Sequence, residues 1–560
     1  MKPQPQSPPK VHSEIEIVRL VWLAIFVSVF SFLFYYRHEE VLLYGDAVAH
    51  INIARRVFDS KTPGLLQLGT VWLPLPHLLM IPFIVSKHMW QTGAGGSIPS
   101  MAGFVLGVLG IFRLVRKILS RGGEVNTTAK AGAWASAVVY AANPNLIYMQ
   151  STAMGESLYL AFFIWAVVHF AEFTRQENAT KASRSLTKCG LCLVGACLTR
   201  YDGWFLAAIL LVVVVALAFR RRNPLSRMML AKFILLAVTG PVLWLTYNAI
   251  VYRNPLEFAN GPYSAKAIEQ KTATVNPAQG SLTAAASYFL KAAELNVSEL
   301  NLLGRLWLAL ALLGSLVTVF KGPGRVVLFL WAPLPFYALS IAYGSVPIFV
   351  HTWWPFSNYN VRYGLQLLPV FAIFVPLAIS FIVQYAIKIG QIAVSSDRWP
   401  ATATLLSVLV LSAASYTIIW RAEPICYREA EINMHGRVAL DRQLAGWIKS
   451  MPPDSTLLMH LGAHVGALEQ AGIPLRRDIN EGNHRVWKQP FDPEGLWERA
   501  LADPTSYADY VIGFEGDPVW ASAKSHELTA LVEIHTTGQP AAAIFLGRGH
   551  APSRGVPQMR

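Results

Sequence analysis

The feature that most constrains this chain is a series of long apolar runs. A helix that crosses a bilayer needs about 20 consecutive, mostly apolar residues. The 560-residue sequence offers eleven candidates, at roughly 18–36, 98–118, 131–149, 157–173, 187–199, 203–219, 229–252, 302–320, 326–343, 364–388 and 401–420. Two of them, 187–199 and 203–219, are short and flank Arg200-Tyr201-Asp202, which reads as the polar tip of a helical hairpin. A further apolar stretch, Val71–Val85, is short and holds three prolines. It reads as a broken, interfacial or re-entrant segment rather than a crossing.

The charge distribution divides the chain. Residues 1–420 hold 49 charged side chains, whereas the last 140 residues hold 31. Soluble domains carry about 25% charged residues, so the first figure suits a membrane body and the second a soluble domain. The fold expected is an α-helical polytopic body over 1–420 with a soluble α/β domain over 421–560. In that domain 428–450 reads as helix, and 456–461, 510–514, 530–534 and 541–546 read as strands. An ordinary soluble enzyme and a disordered chain are both excluded. The four cysteines build no disulfide framework, and Cys189-x-x-Cys192 has no second pair beside it.

Orientation follows from the positive-inside rule. Let the N-terminus be cytoplasmic, its first span an uncleaved anchor, and let Val71–Val85 not cross. The segments then facing the cytoplasm hold 21 Lys and Arg against 6 Asp and Glu, including Arg113, Arg116, Lys117, Arg121 and Arg220-Arg221-Arg222. All other residues hold 26 basic and 27 acidic side chains. The net charge of +14 is therefore an imprint of membrane orientation. No domain gathers it, so no nucleic-acid partner is expected. The first loop (37–97), a large loop (253–301), the loop 344–363 and the C-terminal domain all fall on the extracytoplasmic side.

The polar residues on that side are the candidates for chemistry. Asp46 follows the first span in Gly45-Asp46-Ala47-Val48-Ala49-His50, with His50 one helical turn below it. Capping a helix is one role for Asp46; accepting a proton from a substrate is the other. Glu156 is the lone acid between Val125 and Ala171, at the start of an apolar run, where either the helix dipole or a site would retain it. Arg362-Tyr363 opens a late apolar run; an arginine there either snorkels to headgroups or binds an anionic group. Arg55, His77, Arg200 and His351 are further polar positions on the same face. His460, His464, Glu481 and His484 lack the spacing of metal ligands, so no metal is assigned.

These residues, in this order, bring a family into view. The chain resembles the GT-C glycosyltransferase superfamily, and is similar to bacterial members related to protein O-mannosyltransferases and to the aminoarabinose transferases that modify lipid A. The resemblance covers about residues 15–390. It rests on Gly45-Asp46-Ala47 with His50 and Arg55, on Gly69-Thr70-x-Trp72-Leu73-Pro74-Leu75-Pro76 in the same loop, on Glu156, and on Arg362-Tyr363 followed by Pro369. It implies a multi-pass protein of the bacterial inner membrane. Its donor would be a polyprenyl-phosphate sugar, used as substrate without a further cofactor, and its acceptor an extracytoplasmic glycan, lipid or protein. Asp46 resembles the catalytic acid of the first loop, Glu156 the second acid, and Arg362 the basic residue near the donor phosphate. His50, Arg55, His77, Arg200, His351 and Tyr363 are the accompanying substrate-binding candidates. Two departures stand out. Gly-Asp-Ala replaces the paired Asp-Glu of mannosyltransferases, and a single Glu replaces the Asp-x-Asp of oligosaccharyltransferases, which argues against a metal-bound pyrophosphate donor. The expected chemistry is a metal-independent inverting displacement with Asp46 as base. The competing reading is a polytopic transporter or flippase.

Overall fold

A computed structural model describes residues 10–119, 127–220, 226–272, 275–320, 324–390, 398–434, 436–462, 464–483 and 492–548. Arg121, Arg221, Arg222 and His484 lie outside the described residues. Among the described residues nine helices are long and apolar enough to cross a membrane: Glu14–Arg37, Ala94–Leu119, Glu156–Arg175, Asp202–Phe219, Arg227–Val251, Asn301–Phe320, Arg325–Tyr343, Val361–Ile389 and Arg398–Met434.

The two other expected spans show why the count of eleven is not reached. The run 131–149 breaks into Thr127–Ala141 and Pro144–Gln150. The Asn143 side chain accepts from Leu146 N, and Pro144 occupies the first helical position, so a new helix starts there. The run 187–199 belongs to a 19-residue helix, Ala179–Cys197, whose first half carries Lys181, Arg184 and Lys188. Both pack in the bundle, but one is too short and the other too polar to count as a crossing by these criteria. Leu75–Ile84 is a helix of ten residues. At 1.5 Å per residue it spans about 15 Å, half of a hydrocarbon core.

Arg362 owes its position to an irregular entry into a span. Residues Val361–Leu367 form a 3-10 turn before the α-helix Leu368–Ile389, whose first turn contains Pro369. Gly364 lets this turn lie on the helix Leu282–Val297; a Cβ there would stand 2.5 Å from the Ala292 backbone.

The C-terminal region holds a five-stranded mixed sheet. Its strands are β1 (Leu457–Met459), β2 (Asp478–Ile479), β3 (Tyr510–Phe514), β4 (Ala530–Ile534) and β5 (Ala542–Leu546), in the order β2-β1-β3-β5-β4. β1 runs parallel to β2 and β3, while β5 is antiparallel to β3 and β4. The helix expected over 428–450 is two helices, Ile425–Met434 and Arg437–Ser450. Gly436, at φ 81°, makes the turn between them, in the left-handed region that glycine enters without penalty.

Composition places residue 425 in the soluble domain, but the first of these helices is built into the membrane body. Cys426 N donates to Asn145 Oδ1 at 2.9 Å, and Tyr44 Oη donates to the Cys426 carbonyl at 2.8 Å. Beyond it, Arg437 Nη2 donates to the Leu43 carbonyl at 2.9 Å, and Asn52 donates to the Glu469 carboxylate. The first loop and the C-terminal region are thus packed together.

Candidate active site

The first-loop helix Gly45–Arg56 starts directly after the first span, with Asp46 in its first turn. Asp46 does not cap it: the N-cap position is Tyr44, with no side-chain cap bond. The Asp46 carboxylate instead meets Arg362 Nη2 at 2.5 Å. Glu156 lies in the first turn of Glu156–Arg175, where the dipole favours an acid. Its Oε1 lies 3.0 Å from Arg200 Nη1 and 3.4 Å from Arg362 Nε.

Both guanidiniums have further partners. Arg200 Nη2 donates to Tyr337 Oη at 2.7 Å, and its Nε lies 3.4 Å from Asp202 Oδ1. Tyr337 Oη in turn donates to Asp202 Oδ2 at 3.3 Å. Arg362 Nη1 donates to Glu429 Oε1 at 3.0 Å. The Tyr363 ring lies between the two arginines, 4.9 Å from the Arg200 guanidinium carbon and 5.2 Å from that of Arg362. Tyr44 meets the other side of Arg362 at 4.9 Å. Such contacts between cation and ring hold a guanidinium plane in place.

These groups border a cavity of about 150 Å³ lined by Asp46, His50, Trp72, Pro76, Glu156, Arg200, Asp202, Tyr337, Arg362 and Tyr363, among others. The cavity contains unspent bonding capacity. Glu156 Oε2, Asp202 Oδ1, Arg200 Nε and Arg362 Nε are buried and make no hydrogen bond. Buried polar groups are ordinarily satisfied; three of these four meet ion-pair partners at 3.4 Å, and Glu156 Oε2 has no hydrogen-bond partner. Exposure separates the two candidate acids. The Asp46 side chain is 37% exposed and Glu156 only 2%, so Asp46 is the more accessible of the two.

The other positions singled out in the sequence divide. His50 borders the cavity, under the Trp72 ring at 4.8 Å. Its Nδ1 is 2.7 Å from His77 Nε2. Burial, with Arg362 and Arg200 nearby, pushes His50 down to about 3; burial, with His50 and Arg56, pushes His77 well below its usual range. Both rings are therefore neutral near pH 7. His77 is fully buried behind His50 and is not among the residues that line the cavity. Arg55 is also turned elsewhere: its Nε pairs with Asp59 at 3.0 Å, its Nη1 donates to the Ile84 carbonyl at 2.6 Å, and its guanidinium stacks on Phe58 and Trp90. His351 faces Glu299 at 3.6 Å, in a cluster with Arg428 away from the cavity. Arg200, which read chiefly as a structural tip, is at the centre.

Sequence reasoning missed Glu429, Tyr337 and the bonding of Asp202. The Glu429 carboxylate meets Arg362, and the Asp202 carboxylate meets Arg200 and the Tyr337 hydroxyl, all from other parts of the chain. Among the described residues no group of three His, Cys, Asp or Glu side chains is arranged to hold a metal ion. In the C-terminal domain His464 stacks on Phe514 at 3.7 Å, and Glu481 accepts from Leu461 N and Gly462 N.

No protein-family model matches this sequence, and no curated protein matches it either. Solved structures do. The chain is similar to ArnT from Cupriavidus metallidurans in two crystal structures, one bound to undecaprenyl phosphate and one in the apo state. Each comparison gives a TM-score of 0.55 at 13% sequence identity; they cover 96% and 95% of this chain and 98% of ArnT. Over nearly its whole length, C-terminal region included, the chain has the ArnT fold.

Proposed function

We propose that this protein is a GT-C-type glycosyltransferase that moves a sugar from a polyprenyl-phosphate donor to an extracytoplasmic acceptor: a lipid, a glycan or a protein. One observation carries the reading. Asp46, Glu156, Arg200 and Arg362 come from four separate segments of the chain and meet in one cavity. The ArnT fold, seen with undecaprenyl phosphate in the relative, supports a lipid phosphate as the donor's carrier. The placement weighs against a transporter, whose charged groups belong near the bilayer midplane.

The chemistry follows from the side chains. Asp46 accepts the proton of the acceptor hydroxyl or amine, whose oxygen or nitrogen attacks the anomeric carbon. The bond from that carbon to the phosphate oxygen breaks, and the polyprenyl phosphate leaves with the electron pair. Arg362 and Arg200 stabilise the charge that develops on it, through planar donors suited to phosphate oxygens. Glu156 keeps the two guanidiniums together. This is a single, metal-independent displacement with inversion.

The test is turnover. Purified protein in detergent is incubated with a panel of polyprenyl-phosphate sugars, and release of the lipid phosphate is measured. Asp46→Asn should lower the rate by about 10²–10⁴-fold, the usual worth of a positioned base. Full activity of that variant would remove Asp46 from its role; no release from any donor, with substrate-dependent uptake in liposomes, would replace the enzyme by a transporter.

A further inference from the structure

We propose that Glu429, carried on the helix Ile425–Met434 that leads into the C-terminal domain, is a positioning residue for Arg362. The inference rests on the functional reading above and adds a part that neither the motifs nor the fold assigns.

Glu429 is fully buried and accepts three hydrogen bonds. Its Oε1 takes Asn360 N at 3.1 Å and Arg362 Nη1 at 3.0 Å; its Oε2 takes Val361 N at 2.6 Å. The first N–H groups of any helix lack partners within it. The 3-10 turn Val361–Leu367 has Asn360 at its N-cap, and Asn360 makes no side-chain cap bond. Its side chain donates to the Pro347 carbonyl instead, and its backbone is left-handed at φ 57°. Glu429 therefore caps this turn from 68 residues away while holding the guanidinium of the second residue on it. One carboxylate fixes both the backbone that carries Arg362 and one edge of its fork.

The remaining edge faces the cavity. Arg362 Nη2 and Nε are left for Asp46 and Glu156, two of the acids that border the cavity. Without Glu429 the guanidinium is free to turn fully onto Asp46, which occupies the base and withdraws the cation from a phosphate. The helix bearing Glu429 is itself anchored from both sides, by Asn145 and Tyr44 at Cys426 and by Glu299, 2.6 Å from Arg428. The C-terminal region thus reaches the membrane site through one buried carboxylate.

Two explanations of Glu429 predict opposite signs. A carboxylate that merely adds negative charge beside a phosphate site weakens binding, so its removal tightens it. A carboxylate that orients the arginine strengthens binding, so its removal loosens it. The experiment measures the Kd of undecaprenyl phosphate for the full-length protein in detergent, for wild type, Glu429→Gln and Glu429→Asp, with thermal midpoints alongside. A glutamine presents N–H groups where acceptors are needed. Glu429→Gln should bind at least tenfold more weakly, with the KM for a turned-over donor rising in step. Glu429→Asp, one methylene too short for all three bonds, should fall between. A purely structural role lowers the thermal midpoint and leaves the Kd of the folded protein unchanged. Unchanged or tighter binding by Glu429→Gln overturns the proposal; if that variant does not fold, wild-type affinity in Glu429→Asp overturns it. Wild-type protein that neither binds undecaprenyl phosphate nor turns over any donor removes the functional reading, and this inference with it.

Discussion

Glu156 and Arg362 were legible for a simple reason: each is a charge standing at the edge of a long apolar run, where charge is costly to keep without a use; Asp46 was legible from its place in the loop after the first run, one helical turn from His50. Glu429 has no such contrast. It sits among Glu423, Arg428 and Glu431, just past the last apolar run, in a stretch whose composition looks soluble. Its burial is a tertiary fact. The same holds for Asp441, which lies fully buried against Arg437 at 3.4 Å. Burial, partly offset by Arg437, pushes its carboxyl up to about 7. Between about pH 4 and pH 7 the folded protein keeps a proton that the unfolded chain has released. Stability therefore falls as pH rises through that window. Asp441→Asn, neutral throughout, should flatten this part of a plot of thermal midpoint against pH, and an unchanged slope would place the titration elsewhere.

At the scale of elements, period and punctuation were good guides where an element closes on itself. Four of the five strands lie where the alternation of residues put them, to within a residue or two; β2, two residues long, is too short to leave a pattern. The guides failed where a neighbour decides. The break at Asn143-Pro144 was written in the sequence as a cap followed by proline, yet the apolar run masked it. The 3-10 entry into the span at Val361 has no pattern of its own, because Glu429 and the Gly364 contact hold it. Close helix packing gives a further prediction. A Cβ on Gly314 would lie 2.0 Å from the Phe374 carbonyl oxygen, so Asn301–Phe320 and Leu368–Ile389 touch backbone to backbone there. Gly314→Ala must push the helices apart and should cost about 1–3 kcal/mol. Because Leu368–Ile389 continues from the turn bearing Arg362, a lowered thermal midpoint should come with weaker donor binding; no change in either would show that the crossing is slack.

At the scale of the whole molecule, the proposed orientation has a direct check. Lys and Arg outnumber acids on one set of loops and not on the other, which implies that residues near 180 face the cytoplasm and the C-terminal domain faces outward. Single cysteines introduced at the exposed positions Thr180 and Ser525 report on this. A membrane-impermeant maleimide applied to spheroplasts should label Ser525→Cys and spare Thr180→Cys until the membrane is permeabilised; the reverse pattern would invert the topology. The ion pair between Asp46 and Arg362 has a kinetic consequence on the same reading. In the proposed mechanism the base starts bound to the cation that the donor's phosphate needs. Arrival of the phosphate takes that cation over, and only then is the carboxylate released to accept a proton. The active base is thus made by the donor itself. On that mechanism, acceptor binding first gives a complex with its base still masked, and a single salt bridge sets the expected order of addition, donor before acceptor.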